Sequence, residues 1–286
     1  MDATAAHPIQ TLRQHATALE AAVSVCLADP VEKAVHRIRT ETRRIEAQLA
    51  LLEQIPGLMD HGKQAVRLQK FLKKLRRAAG EVRDLDVQRK LIKEQIELAD
   101  GDKDLQREGK KMRRRRQRMR RRAADDLLDI LKKQGPKLSG ALEDLLAVLE
   151  AHEELELSTA EVLRVVDRQF ANDASLRLEN PSDDELHDVR KAAKVARYQA
   201  ETLNGAKAAE ASAKKYEAVQ DKGGTWHDWL QLASDAADEL GKKHATTAQF
   251  SELRDCHLEE FRASLVQLRK EPSQGRPHMR RRKTAA

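Results

Sequence analysis

The strongest constraint on the fold is a helical register of apolar residues, punctuated by capping sequences. Ser158 to Glu161 and Ser182 to Glu185 have the capping-box spacing, in which a Ser side chain and a Glu three residues on satisfy each other's free backbone N–H groups. Asp29-Pro30-Val31-Glu32 offers a capping Asp and a proline at the first helical position, where no N–H is needed. After it, Val35, Ile38, Ile45, Leu49 and Leu52 recur at helical steps until Pro56-Gly57. A second stripe, Leu68, Leu72 and Leu75, ends near Gly80; a third helix is predicted from Asp84 and a very basic fourth from about Asp102 to Lys133. With 12 Gly, 7 Pro and 8 aromatics in 286 residues, β sandwiches, barrels and Gly-rich doubly wound folds have little support. The chain is expected to be all-α.

The events then repeat. Gly135-Pro136 reads as a stop, and residues 137–157 as an acidic linker helix and loop. Beyond Ser158 come helices to about Leu178, from Ser182 to Leu203 with a stop at Asn204-Gly205, to about Lys222 with a stop at Gly223-Gly224, from Asp228, and from Ala245 to Lys270. Val35-His36-Arg37-Ile38-Arg39, with Arg43, precedes Leu186-His187-Asp188-Val189-Arg190, with Lys194, by 151 positions. Gly80-x-x-Arg83-Asp84 precedes Gly224-x-x-His227-Asp228 by 144. Two ordered matches at nearly one offset indicate a duplicated four-to-five-helix unit. The expected organisation is a first unit (1–136), the linker (137–157), a second unit (158–271) and a basic disordered tail (272–286).

Charge carries the functional signal. The formal net charge is +7, but residues 269–283 hold seven Lys/Arg against one Glu, so the tail supplies nearly all of it. The informative cations lie in strips. At 100° per residue, His36, Arg39 and Arg43 fall within about 60° of one another, as do His187, Arg190 and Lys194. Lys63, Arg67, Lys70, Lys74 and Arg77 form a further column beside the Leu68-Leu72-Leu75 seam. Like charges in a column repel by a few tenths of a kcal/mol per pair, so such strips need anions. Internal acids could supply them, Glu41, Glu46, Glu53 or the 143–161 stretch. An external polyanion is favoured because the cations recur in both halves and the acids do not.

The densest cationic run lies between Arg107 and Arg122 and includes Arg113, Arg116 and Arg120. By charge alone it suits nucleic acid, or any linear phosphate polymer held through counterion release. Base readers are expected to add aromatic stacking platforms, and none lies in this run. Asp84 and Asp228 read most simply as helix caps. Arg83 and His227, placed just before them, would meet the positive end of a helix dipole, an arrangement that calls for a nearby anion. A His/Asp metal site for a metal-dependent phosphohydrolase is disfavoured by the Arg and Lys neighbours, and no nucleotide-binding or hydrolase motif occurs. No metal, cofactor or catalytic residue is expected. Cys26 and Cys256 match no disulfide or zinc spacing and read as reduced core thiols. With no apolar leader and no run of 18 apolar residues, a cytoplasmic protein without a membrane partner is expected.

Taken together, Val35-His36-x-x-Arg39-x-x-x-Arg43-Arg44, Gly80-x-x-Arg83-Asp84-x-Asp86-Val87, Leu186-His187-Asp188-Val189-Arg190-x-x-x-Lys194-x-x-Arg197-Tyr198 and Trp226-His227-Asp228 resemble the CHAD family, the conserved-histidine α-helical domains. The resemblance spans about residues 10 to 270. It implies two pseudo-symmetric helical bundles around a basic cavity or pore, non-enzymatic binding of inorganic polyphosphate, and association with polyphosphate granules. It further implies phosphate contacts from His36, Arg39, Arg43, Arg44, Arg83, His187, Arg190, Lys194, Arg197 and His227, with Lys70, Lys74 and Arg77 as basic positions of the following helix. Glu46 stands where the second unit has Arg197, which breaks the symmetry of the site. The dense Arg run exceeds the family pattern and keeps nucleic-acid binding, with help from the basic tail, as the alternative.

Overall fold

The computed structural model describes residues 5–55, 58, 62–99, 101–174, 181–203 and 206–270. In the first half, α1 (Pro8–Ala28), α2 (Glu32–Leu52), α3 (Gly62–Leu98) and α4 (Lys103–Leu149) follow one another; in the second, α5 (Thr159–Asp173), α6 (Asp183–Ala200), α7 (Lys207–Leu240) and α8 (Ala245–Lys270). A 3-10 turn, Glu150–His152, follows α4. The all-α expectation holds: the described strands are two dipeptides, β1 (Ala5–Ala6) and β2 (Leu157–Ser158), paired antiparallel with Ala5 opposite Ser158. No described helix is long and apolar enough to cross a membrane.

Each half buries its own apolar stripe. Val35, Ile38, Ile45, Leu49 and Leu52 of α2 and Leu68, Leu72 and Leu75 of α3 are buried with Leu127, Leu131, Leu138, Leu142 and Leu145 of α4. In the second half Leu186, Val189, Ala193, Ala196 and Ala200 of α6 pack with Val162, Val166, Tyr216, Trp226 and Phe261. Each large side chain so buried contributes about 1.5–3 kcal/mol. Packing contacts at both ends of the seam join the halves. At one end Ile92 and Met112 pack against Trp229, Leu232, Ala236 and Phe250. At the other, Leu51 enters the second core, Gln48 donates to Thr202 at 2.5 Å and Gln199 donates to the Ala47 carbonyl at 3.2 Å. Between them lies a seam flanked by α2, α3, α6 and α7.

The capping boxes at Ser158 and Ser182 form as their spacing predicts. Other punctuation misleads. The proposed start at Asp29-Pro30 is displaced: Asp29 closes α1, and α2 begins at Glu32 behind Val31. Gly80 and Asp84 lie inside the uninterrupted α3, and Gly223, Gly224 and Asp228 inside α7, so neither Asp caps a helix. A mid-helix Gly costs only about 1 kcal/mol, which flanking buried residues such as Leu75, Ala79 and Val82 outweigh. Gly135-Pro136 also fails to stop α4: Leu138, Ala141, Leu142 and Leu145 beyond it are buried in the first core, which offsets the roughly 3 kcal/mol cost of an interior proline. Residues 137–149, expected in a linker, therefore complete α4. Pro56-Gly57, Asn204-Gly205 and the basic tail lie outside the described residues.

The Arg run of α4 is split by its helical faces. Arg113, Arg114, Arg115, Arg118, Arg121 and Arg122 are exposed, whereas Arg116 is only 1% exposed. Arg116 donates to Gln88 of α3 and to Asp235 and Glu239 of α7, and Arg120 donates to Asp86 and, at 2.6 Å, to the Pro30 carbonyl. These are bolts between helices. Arg116→Ala leaves Asp235 without its cation and Glu239 with only Arg115, 3.6 Å away, and should lower the unfolding free energy by about 3 kcal/mol. Arg114→Ala should change it by less than about 0.5 kcal/mol. Urea denaturation of the two variants checks this contrast.

Candidate functional site

The helical register that buries Ile38 and Val189 turns the basic strips of α2 and α6 into the seam. Gly80 is there for Arg39: a Cβ at that position would stand 2.7 Å from Arg39 Nη1. On α7 the matching room is made by Gly223, where a Cβ would stand 2.8 Å from the Phe261 ring and 3.1 Å from Arg190 Cγ. Sequence alignment of the repeats pairs Gly80 with Gly224 instead. Gly224 faces the cavity and opens onto free space.

The strips enclose a cavity of about 300 Å³. Its wall carries five basic side chains, Arg39, Arg43, Arg83, Arg190 and Lys194, against the carboxylates Asp221 and Asp228. His36, Thr40, Tyr198, Gln220 and Thr225 supply further polar groups. Arg83 donates to Asp228 at 2.7 and 3.1 Å and to Asp84 at 3.1 Å, tying α3 to α7. Burial works against the Arg83 charge, but Asp228 and Asp84 outweigh it and hold the group above its ordinary range.

The remaining cations have no such compensation. Burial, reinforced by Arg43, Arg190 and Arg39, pushes the Lys194 ammonium down to about 6. Burial pushes Arg43 and Arg190 down to about 10, each further repelled by Arg39. Arg39 is also lowered by burial, although Asp84 lies 3.9 Å away. The buried Nε atoms of Arg43 and Arg190 have no hydrogen-bond partner. Like charges crowd a pocket so built, and either proton loss from Lys194 or a bound anion would relieve them.

His187 and His227 stand beside this wall, their rings 4.9 Å apart. Arg190 Nη2 lies 3.3 Å from His187 Nδ1, which must accept that hydrogen bond and so carries its own proton on Nε2. Burial and then Arg190 lower both imidazoles, His227 to about 3. These histidines are thus neutral near pH 7.

Of the expected site residues, His36, Arg39, Arg43, Arg83, Arg190 and Lys194 line this cavity. Arg44 and Arg197 instead flank the Tyr198 ring, at 5.9 and 5.7 Å, and pair with carboxylates: Arg44 with Glu41 and Glu201, Arg197 with Glu201 and Glu217. Arg77 lines a neighbouring cavity, while Lys70, Lys74 and Arg113 are exposed on their helices and line neither. Arg116 and Arg120 are taken up by the internal pairs described above. Internal neutralisation therefore accounts for part of the basic pattern, with Arg76 held by Glu46 and Arg67 by Asp144. The role of Asp228 escaped the sequence because a Gly four residues earlier imitates a helix cap; Tyr198 was visible only as an extension of the α6 strip.

The family model described as CHAD domain matches residues 10–237. The chain belongs to the CHAD family. No curated protein is similar enough to count as a relative. Solved structures that share the fold of this chain include the following two. The crystal structure of the CHAD domain from the plant Ricinus communis is 19% identical with a TM-score of 0.65, covering 96% of this chain and 95% of that one. PptA from Streptomyces chartreusis is 15% identical with a TM-score of 0.68, covering 93% and 98%. At such identities the likeness extends to the fold alone.

The depressed Lys194 has a stability consequence for this CHAD chain. Unfolded lysine holds its proton up to about 10.4, so between about pH 6 and 10 the unfolded state binds more protons and stability rises with pH. The folded protein should melt higher at pH 8.5 than at 6.5. In Lys194→Met that difference should shrink and the melting temperature at pH 6.5 should rise. Thermal unfolding followed by circular dichroism at the two pH values measures both effects.

Proposed function

We propose that this protein binds inorganic polyphosphate in the seam cavity and holds it without turning it over. The observation that carries this reading is the excess of cations over carboxylates in a confined wall, with Lys194 pushed to about 6 and two guanidinium Nε atoms left without partners. A linear chain of phosphates supplies a charge at every repeat and acceptor oxygens on all sides, which matches cations contributed by three helices, α2, α3 and α6. Membership of the CHAD family agrees with this ligand class, and association with polyphosphate granules in the cell would follow from it.

Nucleic acid is the weaker reading. Among the described residues Tyr198 is the one Phe, Tyr or Trp in the cavity wall, and two guanidinium groups flank its ring, so a stacking platform for bases is not supported there. The α4 run that suggested nucleic acid commits Arg116 and Arg120 to internal pairs. For turnover, the wall offers His36 as its imidazole, and its half-buried carboxylate Asp228 is held by Arg83, so a general base is poorly provided.

Each charge-assisted contact contributes about 1.5–3 kcal/mol, so Arg190→Ala and Lys194→Met should each weaken long-chain polyphosphate binding by about tenfold or more. Log affinity should fall linearly with log salt. Titration of labelled polyphosphate at two salt concentrations, with structured RNA as competitor and phosphate release monitored, tests the reading. Absence of saturable binding at low salt would refute it, and steady phosphate release would refute the non-enzymatic part.

A further inference from the structure

Three cavities lie in a row along α7. The wall of the first includes Ala209, Glu210 and Ala213, that of the second Gln220 to Asp228, and that of the third Gln231, Ser234 and Asp235. The row follows α7 for about 39 Å at 1.5 Å per residue. Neighbouring cavities share one wall residue: Tyr198 between the first and second, Arg39 between the second and third. The second is the polyphosphate cavity proposed above.

The two neighbours differ in charge. The first, of about 420 Å³, presents Glu201 and Glu210; its cation Arg44 is bound to Glu41 and Glu201, and its His15 to Glu41 at 2.9 Å. Tyr198 separates it from the central cavity, and its ring is flanked by guanidinium groups that already have carboxylate partners. This end offers a polyanion repulsion. The third cavity is larger, about 640 Å³, and is lined by Arg39, Lys73, Arg76 and Arg77. Two of its three carboxylates are already neutralised, Asp84 by Arg83 and Asp235 by Arg116. Arg76 is held by Glu46, but Lys73 and Arg77 make no ion pair among the described residues and face Glu81 alone.

We propose that the 640 Å³ cavity is a second phosphate subsite, in line with the first, and that one polymer chain runs past Arg39 from inner to outer subsite while Tyr198 closes the opposite end. Resting on the polyphosphate reading, this makes the protein a reader of chain length. A short oligophosphate satisfies the inner cations; a longer chain also reaches Lys73 and Arg77. Arg39, held against Gly80, is the shared contact.

The test compares tripolyphosphate with long-chain polyphosphate on the full chain, in wild type, in Lys73→Gln/Arg77→Gln and in Lys194→Met. Lys73 and Arg77 are exposed, so the double variant should fold, which its melting curve checks. In the double variant the ratio of long-chain to tripolyphosphate affinity should fall at least tenfold. Its long-chain salt slope should be shallower by about 1.4, two cations at about 0.7 each for a flexible single strand. In Lys194→Met both ligands should weaken by similar factors, preserving the ratio. If the double variant weakens both ligands equally, or neither, the outer subsite is wrong although the inner site stands. If wild type binds neither ligand, the polyphosphate reading falls and this inference with it.

Discussion

The structure depends on a repulsion that its folded core is strong enough to contain. Arg39, Arg43, Arg190 and Lys194 are brought together with too few acids to balance them, and burial, reinforced by the neighbouring guanidinium groups, pushes the Lys194 ammonium down to about 6. Two clamps, one apolar and one hydrogen-bonded, hold the walls against this. One is the cluster of Ile92, Met112, Trp229, Leu232 and Phe250 at the far ends of the long helices. The other is the α2–α6 junction, where Gln48, Thr202 and Gln199 bond across the seam. The Arg83–Asp228 pair adds the one strong electrostatic tie between the halves at the cavity itself.

That arrangement gives the two kinds of cation different work. Arg116, Arg120, Arg44 and Arg197 are matched to carboxylates and fix helices in place. The seam cations are left short of partners, which costs stability; on the proposed reading, that cost keeps an anion site pre-formed. Removing a bolt should therefore loosen the fold, whereas replacing a seam cation by an apolar residue should relieve it. A bound polyanion would act as the missing counter-charge and stabilise the folded state by mass action.

Much of this was legible in the chain. The apolar stripes of α2, α3 and α6, the capping boxes at Ser158 and Ser182, and the strips that carry Arg39 and Arg190 follow from 3.6-residue periodicity, which packing respects. Gly80, Gly223 and Pro136 were misread because local propensity treats them as breakers, while their helices are held by burial on both sides. Gly80 marks the close approach of Arg39, a distance between helices that no local pattern encodes. Arg116 and Arg120 could not be separated from Arg113 by composition, because pairing with Asp235, Glu239 and Asp86 depends on which helices meet.

The central claim is that the seam holds cations whose charge is completed by the ligand, and proton uptake on binding measures this directly. At pH 8, a lysine with a pKa of about 6 is almost wholly neutral before binding and charged once phosphates surround it. Calorimetric titration of long-chain polyphosphate in two buffers of different ionisation enthalpy should show about one proton taken up per site occupied, and that uptake should vanish in Lys194→Met. Saturable binding with no proton uptake in the wild-type protein would contradict the account.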